Sequence, residues 1–210
     1  KKLVKEIFNK FKPEIIINFA AESHVDKSII GPLNTFKTNI LGTINLIENL
    51  RVSKLNSRYI QISTDEVFGA LRKKEASFNE KSSYNPSSPY ASSKAAADQI
   101  VSSYANTYNI ETIITHCTNN FGPRQHPEKL IPLMLSRVIN NQSIPIYGKG
   151  KNVRDWIYVK DHCNIIYKIM NLKVLDRNRF FIGAANELTN IELINKFLKI
   201  LEKKTAQKKL

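Results

Sequence analysis

Apolar residues Leu3, Val4, Ile7, Phe8 and Phe11 fall at helical spacing, which predicts an amphipathic helix over residues 2–12. Pro13 ends it, because proline has no N–H to continue the ladder. Glu14 to Ala21 is β-branched and almost continuously apolar, the pattern of a strand buried on both faces. Phe36, Ile40, Ile44 and Ile47 share one face of a predicted helix over 32–50. Arg58–Thr64 reads as the next strand, polar Pro/Ser-rich 69–88 as a long loop, Pro89–Tyr108 as a helix and Thr112–Cys117 as a third strand. Strand–helix–strand–helix–strand predicts an α/β fold with a right-handed, doubly wound parallel sheet. The pattern changes after Asn120. Gly122-Pro123 is a turn, and Lys129–Asn140 a helix. Ser143–Tyr147 and Asp155–Val159 read as short strands, Asp161–Met170 as a helix with an acidic N-cap. Arg179–Gly183 reads as a strand and Asn190–Lys203 as a helix, with a frayed tail from Glu202. Residues 1–122 are therefore expected to form the sheet domain, and 123–210 a smaller mixed lobe with the remaining sheet elements.

Composition narrows this picture only a little. The 210 residues are 42% apolar and 24% charged, ordinary globular usage. No run of ~18 apolar residues exists, so no membrane span is expected. Two cysteines, Cys117 and Cys163, cannot build a disulfide framework, which predicts a reducing, cytoplasmic compartment. The net charge of +14 raises the question of a nucleic-acid partner. But 24 of the basic residues are Lys and 8 are Arg, and Arg is the residue suited to bidentate phosphate and base recognition. Four Lys sit in the tail (203, 204, 208, 209) and the rest are scattered, so the charge reads as general lysine bias. His24, His116, His126 and His162 lack metal-ligand spacing, and no metal is expected. Trp156 is expected in the core.

Two constellations carry candidate chemistry. Tyr90 and Lys94 are four residues apart on a predicted helix and share a face. An ammonium beside a phenol lowers its pKa from ~10, and a phenol so tuned can take a proton from a sugar hydroxyl. Alone the spacing is common on helix surfaces. Ser63-Thr64-Asp65-Glu66-Val67-Phe68-Gly69 follows a predicted parallel strand, where open α/β sheets place ligands. Adjacent carboxylates can divide acid and base work when their environments separate their pKa values.

Taken in order, these motifs resemble the extended short-chain dehydrogenase/reductases, and within them the nucleotide-sugar 4,6-dehydratases of the dTDP-glucose type. The matching stretches are 18–26, Thr38-Asn39, 63–69, Tyr90–Lys94, Asn119–Pro123, Pro127–Pro132, Pro145–Gly148 and Arg154-Asp155-Trp156, within residues 15–186. The Tyr/Lys pair is shared with epimerases and decarboxylases; the Thr-Asp-Glu triplet marks a dehydratase. The resemblance implies a Rossmann-like NAD-binding domain in 1–122 and a substrate-binding lobe in 123–210. It implies that Tyr90, supported by Lys94 and Thr64, removes the 4-OH proton while C4 gives hydride to NAD+. Glu66 then abstracts the C5 proton and Asp65 protonates the departing 6-OH. Hydride returns to C6, giving a 4-keto-6-deoxy sugar.

It further implies that Ala20, Ala21, Ser23, Thr38, Tyr90, Lys94 and Asn120 line the NAD. Ser23, Thr64, Asn119, Lys129, Pro145, Tyr147, Arg154 and Asn186 would meet the nucleotide-diphosphate sugar, with Arg154 suited to grip a phosphate. Helices near 32–50 and 89–108 would form a homodimer. Phe68 and Phe121 stand where the family usually has tyrosine, so each loses a hydroxyl. The first glycine is Gly31, whereas the family opens on a glycine-rich turn that holds the NAD pyrophosphate. The resemblance thus implies an N-terminally truncated chain, short by three strands or about 50–60 residues, with weak NAD binding of its own. The alternatives are an epimerase or decarboxylase of the same superfamily, or a non-catalytic basic fragment that binds partners or polyanions.

Overall fold

The structure is a computed structural model that describes residues 2–70, 77–79, 81–146, 149–173 and 178–207. Its elements, in order, begin with α1 (Lys2–Phe11), β1 (Ile15–Asn18), α2 (Val25–Ile30), α3 (Pro32–Phe36), a π-helical stretch (Lys37–Leu41) and α4 (Gly42–Ser53). β2 (Arg58–Thr64) leads through a 3-10 turn (Asp65–Phe68) towards α5 (Pro89–Tyr108) and β3 (Thr112–Cys117). Then come β4 (Asn119–Phe121), α6 (Leu130–Ile139), β5 (Val153–Tyr158), α7 (Val159–Met170), β6 (Arg179–Ile182), β7 (Glu187–Thr189) and α8 (Asn190–Gln207).

Contacts divide the chain into two units, Lys1–Cys117 with Tyr167–Ile182, and Thr118–Ile166 with Gly183–Leu210. The first unit holds a four-stranded sheet of order β1-β2-β3-β6. All three pairings are parallel, with Ile15 beside Arg58, Tyr59 beside Thr112 and Ile114 beside Arg179. The expected parallel α/β sheet is therefore present. Its core joins Phe8 of α1, Ile16 of β1, Ile47 and Leu50 of α4, Tyr59 of β2, Val101 of α5 and Ile114 of β3. Each such aliphatic side chain stabilises by about 1.5–3 kcal/mol when fully removed from water. The second unit holds β4 parallel to β5, and β5 antiparallel to β7. Trp156 is buried there, as expected.

Local chemistry explains the sharpest boundaries. Ser88 caps α5 by accepting the Ala91 N–H at 3.1 Å, and Pro89 fills the first turn, where its missing N–H costs nothing. Asn109, at φ 56°, ends the helix in the left-handed region.

Three expectations need correction. The helix expected over 32–50 is three pieces, because a π-helical turn interrupts it. From the first turn of α4 the Thr43 hydroxyl donates back to the Asn39 carbonyl at 2.8 Å, and Asn39 is buried. No strand forms over 143–146, and Tyr147 lies outside the described residues. The helix expected to fray at Glu202 continues to Gln207. Short α2, β4 and β7, of three to six residues, were too brief for a periodic signal. No helix among the described residues is long and apolar enough to cross a membrane.

Candidate active site

The site begins where β2 ends. Thr64 is extended (φ −138°, ψ 153°) and caps the 3-10 turn by accepting the Glu66 N–H at 3.3 Å. The turn reverses the chain at once, so Asp65 and Glu66 stay half-buried while Val67 and Phe68 go into the core. Phe68 packs against Phe78, Tyr84, His116 and Phe181 with ring centroids 4.8–5.3 Å apart. The ring at this position is thus a packing element, which accounts for a phenylalanine serving where a hydroxyl is usual.

Tyr90 sits in the first turn of α5, where the Thr64 hydroxyl favours its phenolate. Burial pushes the phenol well above its ordinary value, and Glu66, the Cys117 thiol once ionised, and Asp65 add to the rise; Thr64 opposes it. The net shift is upward, against the lowering expected beside Lys94. Lys94 is 3% exposed, and its Nζ donates to the Ile62 carbonyl at 2.6 Å. Burial pushes its ammonium down, against the charge of Asp98. Desolvation and the two carboxylates therefore outweigh whatever the lysine offers the phenol.

The candidate NAD-side residues follow β1, at the C-terminal ends of the parallel strands. Ala20, Ser23 and Thr38 are exposed and Ala21 is half-buried. Their loop is held by Asn39, which sequence reasoning quoted as part of a motif without a role. Asn39 Oδ1 accepts the Glu22 N–H at 2.8 Å, and its Nδ2 donates to the Glu22 carbonyl at 3.0 Å and to Ser93 Oγ at 2.8 Å. The clamp ties the Ala20–Ser23 loop to the helix bearing Tyr90.

A nicotinamide nucleotide fits what is present here. Small alanines stand at the end of β1, Thr38 offers an exposed hydroxyl, and Tyr90 is half-buried at the start of α5. Among the described residues no group of three or more His, Cys, Asp or Glu could hold a metal ion.

The other candidates lie in the second unit. Asn119 and Asn120 are on β4, beside Trp156 and Ile157 of β5. Arg154, on β5, is half-buried and donates to the Val153 carbonyl at 2.8 Å. Asn186 is exposed, and its N–H donates to Asp155 Oδ1 at 2.6 Å, so Asn119, Arg154 and Asn186 belong to one small sheet region. Lys129 is half-buried at the N-terminus of α6, and Pro145 is exposed in the segment after it.

Tyr84 and Asp98 were missed; with Ser63, quoted only as part of a motif, and His116, they form a cluster around the Asp98 carboxylate. Asp98 left a trace in the sequence, by its eight-residue distance from Tyr90.

A parallel sheet with Thr-Asp-Glu at one strand end and Tyr-x-x-x-Lys on the next helix defines an extended short-chain dehydrogenase/reductase of the dehydratase kind. The chain belongs to the GDP-mannose 4,6 dehydratase family, whose model matches residues 1–209. It is 40% identical over 214 residues to the dTDP-glucose 4,6-dehydratase of Haemophilus influenzae, covering 98% of this chain and 63% of that one. It resembles the crystal structure of DesIV, a dTDP-glucose 4,6-dehydratase from Streptomyces venezuelae with NAD and TYD bound (TM-score 0.89, 39% identity, 96% of this chain, 61% of that one). The UDP-glucose 4-epimerase of Thermotoga maritima with UDP-glucose gives a TM-score of 0.87 at 25% identity, with 95% of this chain and 64% of that one covered. The chain thus spans less than two thirds of the length of these relatives.

Proposed function

We propose that this chain carries the catalytic residues of a dTDP-glucose 4,6-dehydratase, converting a nucleotide hexose to its 4-keto-6-deoxy product. One observation carries the reading. Thr64, Asp65 and Glu66 at the strand end all act on the Tyr90 phenol, the hydroxyl favouring its ionisation and both carboxylates opposing it. An epimerase acts at C4 alone and has no use for that carboxylate pair.

Bound NAD+ would supply the hydride acceptor at C4 and, once reduced, the hydride donor at C6. Tyr90 takes the 4-OH proton. Glu66 takes the C5 proton, which the 4-keto group acidifies, and Asp65 gives a proton to the departing 6-OH. Two carboxylates are needed because base and acid act on neighbouring carbons in one elimination. Ala20, Ala21, Ser23, Thr38 and Asn120 would hold the cofactor. Asn119, Lys129, Pro145, Tyr147, Arg154 and Asn186 would hold the nucleotide and its diphosphate. In this reading residues 1–122 serve NAD and 123–210 the substrate, and helices near 32–50 and 89–108 pair two copies.

Thr64 links the two halves of the chemistry. A hydroxyl has one proton to give. It lies 3.2 Å from Asp65 Oδ1, and it also meets the Tyr90 phenol. An ionised Asp65 takes that proton. A protonated Asp65 donates to Thr64 instead and frees the Thr64 proton for the Tyr90 phenolate. The state in which Asp65 is ready as an acid is therefore the state in which Thr64 supports Tyr90 as a base.

The test is incubation with dTDP-glucose and NAD+, reading loss of one water by mass and the product's alkaline absorbance. Glu66→Gln is expected to slow dehydration by about 10²–10⁴-fold, the range for a lost general base, while leaving oxidation at C4. A product that keeps its 6-hydroxyl and inverts at C4 sinks the reading in favour of an epimerase.

A further inference from the structure

Tyr90, Lys94 and Asp98 recur every four residues on α5 and so share one face of the helix. Opposite them are the last three residues of β2. Lys94 Nζ donates to the Ile62 carbonyl at 2.6 Å, and Ser63 Oγ donates to Asp98 Oδ2 at 2.6 Å. Two successive residues of the strand end are thus tied to two residues of the helix face. Lys94 already has a role in the site. The tie between Ser63 and Asp98 has none.

We propose that Asp98 is a positioning residue of this site: it registers α5 against the end of β2 and supplies the negative charge that keeps Lys94 an ammonium. The carboxylate is wholly enclosed, and so is His116 beside it. A charge in such a place survives only if it is compensated and hydrogen-bonded. Oδ2 collects Ser63 Oγ from β2, Tyr84 OH at 3.4 Å from the preceding loop, and His116 Nε2 at 3.2 Å from β3. Oδ1 is buried with no hydrogen-bond partner among the described residues. Lys94 lies one turn away on the same helix face, and Asp98 favours its ammonium against burial. The remaining ionisable groups around the pair are Cys117 on β3, which also favours the ammonium, and Arg179 on β6, over the Tyr84 ring at 5.3 Å. His116 is fixed by its own packing, stacked on Phe181 at 5.1 Å and edge-on to Phe68 at 4.8 Å. The carboxylate is therefore held from three elements at once, as a group that must align two others requires.

The inference rests on reading Tyr90 and Lys94 as the proton-handling pair, but its test needs no turnover. The chain is made with lysine labelled at Cε and Nζ, and the Lys94 ammonium, assigned by its loss in Lys94→Arg, is titrated by NMR. In the unsubstituted chain it is expected to titrate below the exposed lysines. Asp98→Asn is expected to move the midpoint down by at least one pH unit, a tenfold larger acid dissociation constant. Asp98→Glu, which keeps the charge, is expected to restore most of it. Ser63→Ala, which keeps the carboxylate and cuts its tether, is expected to give a smaller downward shift. An unmoved midpoint in a folded Asp98→Asn overturns the proposal. Where Asp98→Asn does not fold, an unmoved midpoint in Ser63→Ala overturns it. A chain with the expected Lys94 shift but no dehydration of dTDP-glucose would leave Asp98 its role and refute the proposed activity instead.

Discussion

Replacing Asn39 with alanine removes one side chain and cuts the link between the Ala20–Ser23 loop and the Tyr90 helix. Asn39 is 2% exposed and makes three hydrogen bonds, two to Glu22 and one to Ser93. Its amide orientation follows from its partners, since only Oδ1 can accept the Glu22 N–H and only Nδ2 can donate to the Glu22 carbonyl. Glu22 is exposed, so water can re-satisfy its backbone, and each of those two bonds contributes about 1 kcal/mol net. Ser93 is fully buried; its hydroxyl still donates to the Tyr90 carbonyl at 2.7 Å but loses the donor it accepted from. That adds about 1 kcal/mol. Asn39→Ala is therefore expected to destabilise by about 3 kcal/mol, a factor of roughly 100 in the folding equilibrium. Urea unfolding reads the loss, and hydrogen exchange at the Glu22 amide reads its location. Ser93→Ala alone should cost about 1 kcal/mol, and the double variant less than the sum of the singles, because they share a bond. A loss under about 0.5 kcal/mol, or an unchanged Glu22 exchange rate, refutes the clamp.

Two further predictions concern backbone strain and pH. Gly69 has φ +89°, and a Cβ there would lie 2.6 Å from the Asn85 carbonyl oxygen, so Gly69→Ala should cost about 2 kcal/mol or more; a melting temperature equal to that of the parent chain would contradict this. Burial holds the His162 imidazole below its ordinary value of 6.5, so its neutral form is the one the fold favours. The sign follows: this contribution is complete above pH 6.5, and falls as pH drops from there through the folded value, because the unfolded chain binds the proton first. Urea midpoints at about pH 7.5 and about pH 5.5 should separate more in the parent than in His162→Gln, and equal separations would rule the effect out.

Legibility in the sequence followed physical scale. β2, β3 and α5 stand where the sequence pattern predicts them: β-branched runs mark the strands, and the helix is bounded in the structure by caps at Ser88 and Asn109 that the pattern alone did not name. Residues 32–50 misled, because the apolar face reads as one helix whether or not the backbone inserts a π turn. Within that turn Asn39 meets Glu22 and Ser93, 17 and 54 residues away, which no local pattern announces. The same distance problem hid the cluster around the Asp98 carboxylate. Ser63, Tyr84, Asp98 and His116 come from four separate elements and meet only once the sheet is assembled. The catalytic candidates were legible because Thr64-Asp65-Glu66 and Tyr90–Lys94 are contiguous motifs. Their electrostatics were not legible, because burial depends on the fold and here outweighs the neighbouring ammonium.

The charges of the site explain why that reversal suits the proposed chemistry. Glu66 and Asp65 both oppose ionisation of Tyr90, and so does burial. Lys94 carries the nearest positive charge on the helix face, but Asp98 balances it and the Ile62 carbonyl holds it. Around the phenol the balance is therefore negative, and Tyr90 keeps its proton. A base held in its protonated form is inactive until positive charge arrives beside it. A ligand that carries such charge to the sheet edge would lower the phenol's pKa in the very complex that needs the base, and would lower it nowhere else. The carboxylates that raise the phenol are the same groups proposed for the elimination. Discharging either one should ease ionisation of Tyr90 while it stops dehydration, so oxidation at C4 and loss of water should respond in opposite directions to one substitution. Asp65→Asn leaves oxidation at least as fast as in the parent if this balance holds, whereas a matching fall in both steps would mean that Asp65 chiefly orders the turn.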